Sequence, residues 1–533
     1  MPPATQYNEW DLPRLKISIG FEVCHVRFVL LFSARRYLYW LVTIVVLVVE
    51  PVGEEAVTYH LLAEFFDVKF YPYLDPSEDP IFAAVSKKHI VIYRLSSTSV
   101  PPYELIQLFR DDDATAVNCS CTWSKDRETG IPYLCVAGWD RKIKVYDVVN
   151  GTLAKTFVGH GAEINDLATC PTNPYLIASA SDDTTVRIWS LDPADEKQPC
   201  VCILGGEGHS SGLLTIAFHN CGRYVLSAGH DNCVCLWTLP DLSTRDTGRN
   251  PVPPIVVHYP HFFTSEVHGG IVDCVAFFGD LVLSRACHED VIVMWRIEGF
   301  SSQDPPPLAS SAPTTSDTER LTRSAFAPAT ASENPPQYTR LVQFHTPGSG
   351  HQFYMRFKLF HVVDKHPVLA FGNAHSTIFF WDFARLTGYH AFMSELDDPN
   401  RDHPVQRPSW LMPVQHRQNK GDVVSKLKDA EDKDSVASGR TGSDLEGGQS
   451  SLGSHYSEET LKNWSSRYDI KSVETPVVAH YSSAISVKDF IGRQVAWSPG
   501  GEWCIVVGSK NLAFVLQRWQ KTQKELLKDE KKP

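Results

Sequence analysis

Three side chains that could form a hydrolytic active site lie close together in the sequence. His160, Ser179 and Asp183 are the residue types of a nucleophilic triad, in which a histidine activates the serine hydroxyl and a carboxylate orients the histidine. The same three types could instead hydrogen-bond in series with Trp189 and fix a loop to a strand. The rest of the sequence favours one of these two roles.

The triad is repeated along the chain, which is unexpected for a catalytic site. The aspartate lies four residues after the serine and six before the tryptophan, and the next segment keeps both spacings. A third segment has one extra residue before the turn and replaces aspartate by glutamate. The further sets are His209, Ser227, Asp231 and Trp237, and His268, Ser284, Glu289 and Trp295. Because an active site is not copied into successive repeats, we interpret the sets as hydrogen-bonded relays that stabilise the fold.

The elements that must carry these relays are the blades of a β-propeller. Gly-His openings and Trp ends recurring at about 40–50 residues are typical of WD40 repeats, and the stretches VRIW and VCLW alternate as half-buried strands do. We predict an all-β fold, a seven-bladed propeller in which an N-terminal strand pairs with the last blade, because an open ring would expose strand edges. The seven aromatic strand ends are Tyr93, Tyr146, Trp189, Trp237, Trp295, Trp381 and Trp519.

Two long gaps between these aromatic residues predict disordered insertions. Residues 301–338 are rich in Pro, Ser, Thr and Ala, and residues 416–470 are charged and polar, so neither can build a core. The predicted organisation is an N-terminal extension at 1–56, blades 1–5 at 57–300, an insertion at 301–338, blade 6 at 339–390, a mostly disordered insertion at 391–470, blade 7 at 471–520 and a charged tail at 521–533.

Residues 37–49 form an almost wholly apolar run, YLYWLVTIVVLVV. The run is shorter than the roughly 20 residues that a membrane-spanning helix needs. Three interpretations stay open, namely a membrane anchor, a buried strand and an extension that comes from an imperfect gene model.

Composition and charge exclude several classes of function. The chain has 533 residues, of which 43% are hydrophobic, so it can build a large core. Its net charge of −12 disfavours a sequence-specific nucleic-acid partner, because phosphate contacts need clustered Lys and Arg. The 13 cysteines include no C-x-x-C pair, which disfavours a zinc site and indicates a reducing compartment. We expect no cofactor and no metal, and the common catalytic motifs are absent from the sequence.

Several segments are more specific than the general WD40 repeat pattern. FFDVKFYPYLDP, the FYMRF segment at 353–357 and the Phe277–Ser284 run FFGDLVLS closely resemble the embryonic ectoderm development / extra sex combs (EED/ESC) family. The resemblance extends over roughly residues 60–519, apart from the two insertions. That family is the WD40 subunit of Polycomb repressive complex 2, which methylates the histone H3 tail.

The resemblance implies a nuclear, non-catalytic scaffold that is not an enzyme. One mouth of the family's propeller reads trimethyl-lysine of the histone H3 tail in an aromatic cage, and binding stimulates methylation and gene silencing. The opposite face holds a helix of the catalytic SET-domain subunit, and a zinc-finger Polycomb subunit belongs to the same complex. A membrane partner is not expected.

The family's cage positions correspond to Phe66, Cys119, Phe353 and Tyr354. Phe353 replaces a tryptophan and keeps an aromatic wall, whereas Cys119 stands where the family has tyrosine and removes one. Trp123 and Tyr133 are the candidates for replacing that ring. The resemblance also assigns peptide contacts to Arg356 and Arg493.

Two other functions remain open at this point. A generic WD40 adaptor, such as the substrate receptor of a ubiquitin ligase, would have the same propeller, but the FYMRF segment favours the Polycomb function. A membrane-tethered propeller would depend on residues 37–49 alone.

Overall fold

The computed structural model of the protein describes residues 10–20, 64–75, 78–113, 116–244, 251–314, 321–327, 336–398, 400–401, 405–414 and 456–518. The apolar run at 37–49, the end of the chain from Trp519 and most of the second insertion lie outside these residues. Neither helix in the described part is long and apolar enough to span a bilayer.

Strands β1–β16 supply the closing strand and most of the first four sheets. They are β1 (Arg14–Gly20), β2 (Phe65–Phe70), β3 (Ile81–Ser86), β4 (His89–Leu95), β5 (Tyr103–Arg110), β6 (Asn118–Lys125), β7 (Pro132–Gly138), β8 (Lys142–Asp147), β9 (Thr152–Val158), β10 (Ile164–Cys170), β11 (Asn173–Ser181), β12 (Val186–Ser190), β13 (Cys200–Leu204), β14 (Leu213–Phe218), β15 (Tyr224–Gly229) and β16 (Val234–Thr238).

The remaining strands complete the ring, and two helices follow blade 6. They are β17 (Ile255–Val257), β18 (Phe262–Thr264), β19 (Val272–Phe278), β20 (Leu281–Ala286), β21 (Val291–Ile297), β22 (Thr322–Ser324), β23 (Tyr338–His345), β24 (Lys358–Phe360), β25 (Val368–Gly372), β26 (Thr377–Asp382), α1 (Phe383–Leu396), α2 (Glu458–Tyr468), β27 (Tyr481–Ala484), β28 (Gly492–Trp497), β29 (Trp503–Gly508) and β30 (Leu512–Gln517).

Seven sheets confirm the predicted seven-bladed propeller. From the inner strand outward, they are β2-β3-β4-β5, β6-β7-β8-β9, β10-β11-β12-β13-β17, β14-β15-β16-β18-β22, β19-β20-β21-β23, β24-β25-β26-β27 and β28-β29-β30-β1. Apolar side chains pack between neighbouring blades, and the indoles of Trp189, Trp237, Trp295 and Trp381 are almost completely buried.

The ring closes through the pairing of the first strand, β1, with the last strand, β30. β1 runs antiparallel to β30, from Arg14 opposite Gln517 to Gly20 opposite Leu512. The prediction of a closing N-terminal strand is therefore confirmed. The assignment of residues 1–56 to an extension outside the propeller is wrong for residues 14–20, whose short alternating pattern carries no repeat motif.

The predicted blade boundaries after residue 300 need correction. Strand β23 is the outer strand of blade 5, although it follows the first insertion, and β27 belongs to blade 6, although it follows the second. Trp519, the predicted seventh strand end, lies outside the described residues. In blade 4 Trp237 pairs with Val225, and the corresponding pair in blade 7 joins Leu516 to Cys504. An aliphatic side chain therefore occupies this core position.

Parts of both predicted insertions are ordered. β22 pairs with β18 at the edge of blade 4 and corrects the prediction for 301–338. Helices α1 and α2 correct the predictions for 391–470 and 416–470, because Trp464 of α2 is buried against Phe392 of α1. Its indole Nε1 donates a hydrogen bond to the carbonyl of Met412. One buried indole thus anchors a segment whose overall composition is polar.

The three relays form as the spacing predicts. In blade 3, His160 Nδ1 lies 2.8 Å from Asp183 and Nε2 lies 2.6 Å from Ser179 Oγ, while Trp189 Nε1 donates to the same oxygen at 2.8 Å. Burial lowers the pKa of His160 and keeps the ring neutral, although Asp183 opposes the shift. Ser179 has no exposed surface, so no substrate can reach its hydroxyl.

The relays in blades 4 and 5 have the same geometry. His209 Nε2 lies 2.8 Å from Ser227 Oγ, and His268 Nε2 lies 2.7 Å from Ser284 Oγ. Each serine also accepts a hydrogen bond from the tryptophan of its own blade, Trp237 at 2.8 Å and Trp295 at 2.9 Å. The repetition supports a structural role for all three sets.

We predict that Ser179→Ala destabilises the propeller by about 1–3 kcal/mol, because it leaves buried donors and acceptors of His160 and Trp189 unpaired. Urea denaturation of the purified chain measures the change in the free energy of unfolding. The control is Ser310→Ala, an exposed serine whose replacement should change that free energy by less than about 0.5 kcal/mol. Equal stability of the two variants would contradict a structural relay.

We also predict that Trp464→Ala loosens the helix pair, with a local cost of about 3–5 kcal/mol for removing a buried indole. Hydrogen exchange should then accelerate in both α1 and α2. Lys462→Ala, at an exposed position of the same helix, is the matched control. Unchanged protection of α1 in the Trp464→Ala variant would show that the helices do not stabilise each other.

Candidate functional site

The inner strands of the seven blades begin at one mouth of the central channel. These strands are β2, β6, β10, β14, β19, β24 and β28, and each starts its own blade. In a closed propeller of such sheets the inner strands run in the same direction. We call the end at which they begin the strand-start mouth, and five of the six sequence-predicted site residues lie there, whereas Arg356 lies inside the channel.

A bulge recurs at the second residue of six inner strands. The register with the neighbouring strand shifts at this position in blades 1–5 and blade 7, and a bulge changes the direction of the side chain that it carries. The repeated bulge therefore places six side chains around the mouth. They are Phe66, Cys119, Asn165, Leu214, Asp273 and Arg493.

Phe353 and Tyr354 reach the mouth from the segment that precedes β24. Their ring centroids are 5.6 Å apart, and the planes are tilted by 48°. Tyr354 has a φ of 61°, in the left-handed region, and its hydroxyl donates a hydrogen bond to Asn165 Oδ1. Phe353 is 42% exposed, and the edge of its ring faces His230 at 6.1 Å. The ring of Tyr354 is thus fixed by a hydrogen bond to the channel wall, while the ring of Phe353 is exposed to solvent.

Arg356 lies inside the channel and not on the surface of the mouth. It is 4% exposed, and its guanidinium donates hydrogen bonds to Asp166 at 2.9 Å, the Asn165 carbonyl at 3.0 Å and the Leu214 carbonyl at 2.7 Å. Burial lowers its pKa, but Asp166, Tyr354 and Asp67 outweigh that effect and raise it. This geometry does not fit the predicted peptide contact. It fits a group that positions Tyr354, whose ring centroid lies 5.2 Å from the guanidinium carbon.

Arg493 connects neighbouring blades at the mouth. Its guanidinium donates to the Phe353 carbonyl at 2.8 Å and to Glu64 Oε2 at 3.2 Å, next to the strand that carries Phe66. The carbonyl of Arg493 also accepts the backbone N–H of Arg356 at 2.9 Å. Arg493 therefore links Phe353 to the start of blade 1.

Two buried carboxylates connect the inner strands below the aromatic rings. Asp67 accepts hydrogen bonds from Ser120 Oγ, the Cys121 N–H and Gln494 Nε2, each at 2.9 Å. Burial raises the pKa of Asp67, but Lys69, Arg356, the Cys121 N–H and Gln494 together outweigh that effect and lower it, so the carboxylate stays charged. Asp166 accepts from Arg356 and from the Ile216 N–H at 3.0 Å, and it lies 3.1 Å from Ser120 Oγ, whose single proton it shares with Asp67.

Cys119 is a buried thiol that contributes no ring. It is 2% exposed, and its Sγ lies 3.2 Å from the Ile164 carbonyl. Burial raises the pKa of the thiol to about 12, so it is not a thiolate nucleophile at neutral pH. The cysteines that the structure describes are all free.

Neither residue considered as a replacement ring reaches this position. Trp123 lies four residues further along the same strand, about 13 Å away, where its Nε1 donates to the Lys69 carbonyl. Tyr133 pairs with Ser124 near the end of that strand, and its hydroxyl donates to Asp126. Neither ring therefore replaces the wall that the resemblance assigns to position 119.

Sequence reasoning missed several residues of the site, and no metal cluster appears in it. Asn165, Asp166 and His230 carry no motif, although Asn165 takes the same position in its strand as Phe66 and Cys119 in theirs. Comparing the repeats of the chain with each other could have found it. Within the described ranges, no three His, Cys, Asp or Glu side chains are grouped to hold a metal ion.

Comparisons with known proteins agree with this architecture. The WD domain, G-beta repeat family matches residues 151–190 and 199–238. The chain is 45% identical over 588 residues to Polycomb protein EED of Chaetomium thermophilum, covering 97% of this chain and 98% of that protein. It is 32% identical over 246 residues to Polycomb protein esc of Drosophila melanogaster, covering 44% of this chain and 56% of that protein.

Solved structures give the same result. A chain of the Chaetomium thermophilum polycomb repressive complex 2 crystal structure matches with a TM-score of 0.78 and 46% identity, covering 97% of this chain and 99% of that chain. A chain of that complex with H3K27me3 matches with a TM-score of 0.77, the same identity and the same coverage. The near-complete coverage of both chains at this identity shows that the protein belongs to the EED/ESC family of Polycomb WD40 proteins.

Proposed function

We propose that this protein is the non-catalytic WD40 subunit of a Polycomb-type histone H3 methyltransferase complex. Its strand-start mouth reads a trimethylated lysine of the histone H3 tail, and its opposite face binds a helix of the catalytic SET-domain subunit. A zinc-finger subunit completes the complex, and binding of the methylated tail stimulates methylation and silencing in the nucleus. Membership of the EED/ESC family supports the scaffold role and the absence of catalysis.

The observation that carries the reading function is the pair of rings at the mouth. A trimethylammonium group has a positive charge but no N–H donor, so hydrogen bonds cannot select it and aromatic faces can. Phe353 and Tyr354 present adjacent rings, and the bulge in β2 directs Phe66 to the same mouth. The match to a chain from a structure that contains H3K27me3 supports this assignment.

The two arginines have a positioning role in this proposal. Arg356 places Tyr354 against Asn165, and Arg493 fixes the backbone of Phe353. Both guanidinium groups donate hydrogen bonds to acceptors within the protein. The two arginines therefore affect peptide binding indirectly, by positioning the aromatic rings. The net charge of −12 complements the basic histone tail and favours its approach.

We predict that the chain binds a trimethyl-lysine histone H3 peptide more tightly than the unmodified peptide, and that Phe353→Ala weakens the methylated complex about 2- to 30-fold. That range follows from roughly 0.5–2 kcal/mol for one cation–π contact. Calorimetric titration of both peptides measures the difference. Val363→Ala is the matched control, since Val363 is 81% exposed in the β24–β25 connection at the opposite mouth. Equal affinity of the wild type for both peptides would refute the reading function.

We further predict that a tagged chain recovers a SET-domain protein from nuclear extract, and that Phe353→Ala recovers the same amount. The two faces are at opposite ends of the channel, so a change at one mouth should leave the other intact. Mass spectrometry of the purified material identifies the subunits. Recovery of ubiquitin-ligase subunits without a SET-domain protein would instead support the generic adaptor.

A further inference from the structure

One turn residue in each of blades 2, 3 and 4 makes the same backbone hydrogen bond. Trp139 N donates to the Val117 carbonyl at 3.1 Å, Asp182 N to Glu163 at 2.9 Å and His230 N to Gly212 at 2.9 Å. In each case the acceptor is the residue just before the inner strand, and the donor is the residue just after the second strand of the blade. The three donors are therefore equivalent positions at the strand-start mouth.

Two of these equivalent residues contact the site. Asp182 Oδ1 accepts a hydrogen bond from Asn165 Nδ2 at 2.7 Å, and Asn165 in turn accepts the hydroxyl of Tyr354. The ring of His230 lies 6.1 Å from that of Phe353 in an edge-on arrangement. This turn position thus borders the aromatic rings in blades 3 and 4.

In blade 2 the same position carries a large exposed aromatic side chain. Trp139 is 57% exposed, and among the described Phe and Trp residues only Trp139 and Phe353 are exposed. Both lie at the strand-start mouth. Blade 2 is also the blade in which Cys119 takes the place of a cage ring. An exposed indole is unfavourable in water and often marks a binding surface. Its aromatic face could bind a methylated cation at this mouth.

We propose that Trp139 supplies the aromatic wall that Cys119 does not. This inference rests on the proposed reading function and names a further residue that determines its specificity. The indole closes the cage from the turn between β7 and β8, whereas a tyrosine at position 119 would close it from the inner strand. The ligand class is the trimethylated lysine side chain of a histone peptide.

The test is the affinity of the purified full chain for trimethyl-lysine and unmodified histone H3 peptides. Trp139→Ala should weaken binding of the methylated peptide about 2- to 30-fold and leave the unmodified peptide unchanged. Trp139→Phe should retain most of the affinity, because it keeps an aromatic face. Leu153→Ala, at a position 52% exposed on the outer strand of the same blade, should have no effect. An unchanged thermal midpoint verifies that each variant is folded.

The remaining outcomes separate this inference from the proposed function. If Phe353→Ala loses affinity and Trp139→Ala does not, the cage works without Trp139 and the inference is wrong. If Trp139→Ala weakens both peptides equally, Trp139 contacts the peptide outside the methylated lysine, which also overturns the inference. If the wild type does not distinguish the two peptides, the reading function itself fails.

Discussion

The ion pair between Arg356 and Asp166 is the interaction on which the arrangement of the strand-start mouth depends. Arg356 belongs to the segment before blade 6, whereas Asp166 is on the inner strand of blade 3, and two further bonds reach the carbonyls of Asn165 and Leu214. The pair therefore holds the FYMRF segment across the channel and fixes Tyr354 beside Asn165. Removing one partner of such a buried pair typically costs about 3–5 kcal/mol, because the other charge remains buried.

The propeller uses equivalent positions of its blades for two different purposes. The relay positions repeat the same residue types in blades 3, 4 and 5, because each indole, serine and histidine must find the same partners in each blade. The bulge positions at the mouth differ from blade to blade, and they are aromatic, amide, acidic, aliphatic, basic or thiol. The relay positions, which are alike in these blades, stabilise the ring. The bulge positions, which differ between blades, form one asymmetric site.

Much of the fold could be predicted from the sequence because the relay has a fixed spacing. His160, Ser179, Asp183 and Trp189 are local in sequence, and their repetition identified the blades. The closing N-terminal strand was predicted, but its location at residues 14–20 was missed, and so was the helix α2, because each is fixed by a distant partner, β30 in one case and α1 in the other. Leu516 was missed for the same reason, since an aliphatic strand end resembles any other core residue. For the site, the resemblance gave the aromatic positions, but the burial of Arg356 depends on contacts about 190 positions away in the chain, which no local motif encodes.

The central claim is that this mouth recognises a positive charge through aromatic faces. The most direct test compares a trimethyl-lysine histone H3 peptide with the same peptide carrying a neutral analogue, in which a carbon atom replaces the ammonium nitrogen. The two side chains have nearly the same shape and apolar surface, so only the electrostatic attraction to the rings differs. We expect the charged peptide to bind about tenfold more tightly, which corresponds to roughly 1.4 kcal/mol. Equal affinities would show that the mouth is merely an apolar pocket and would contradict the account.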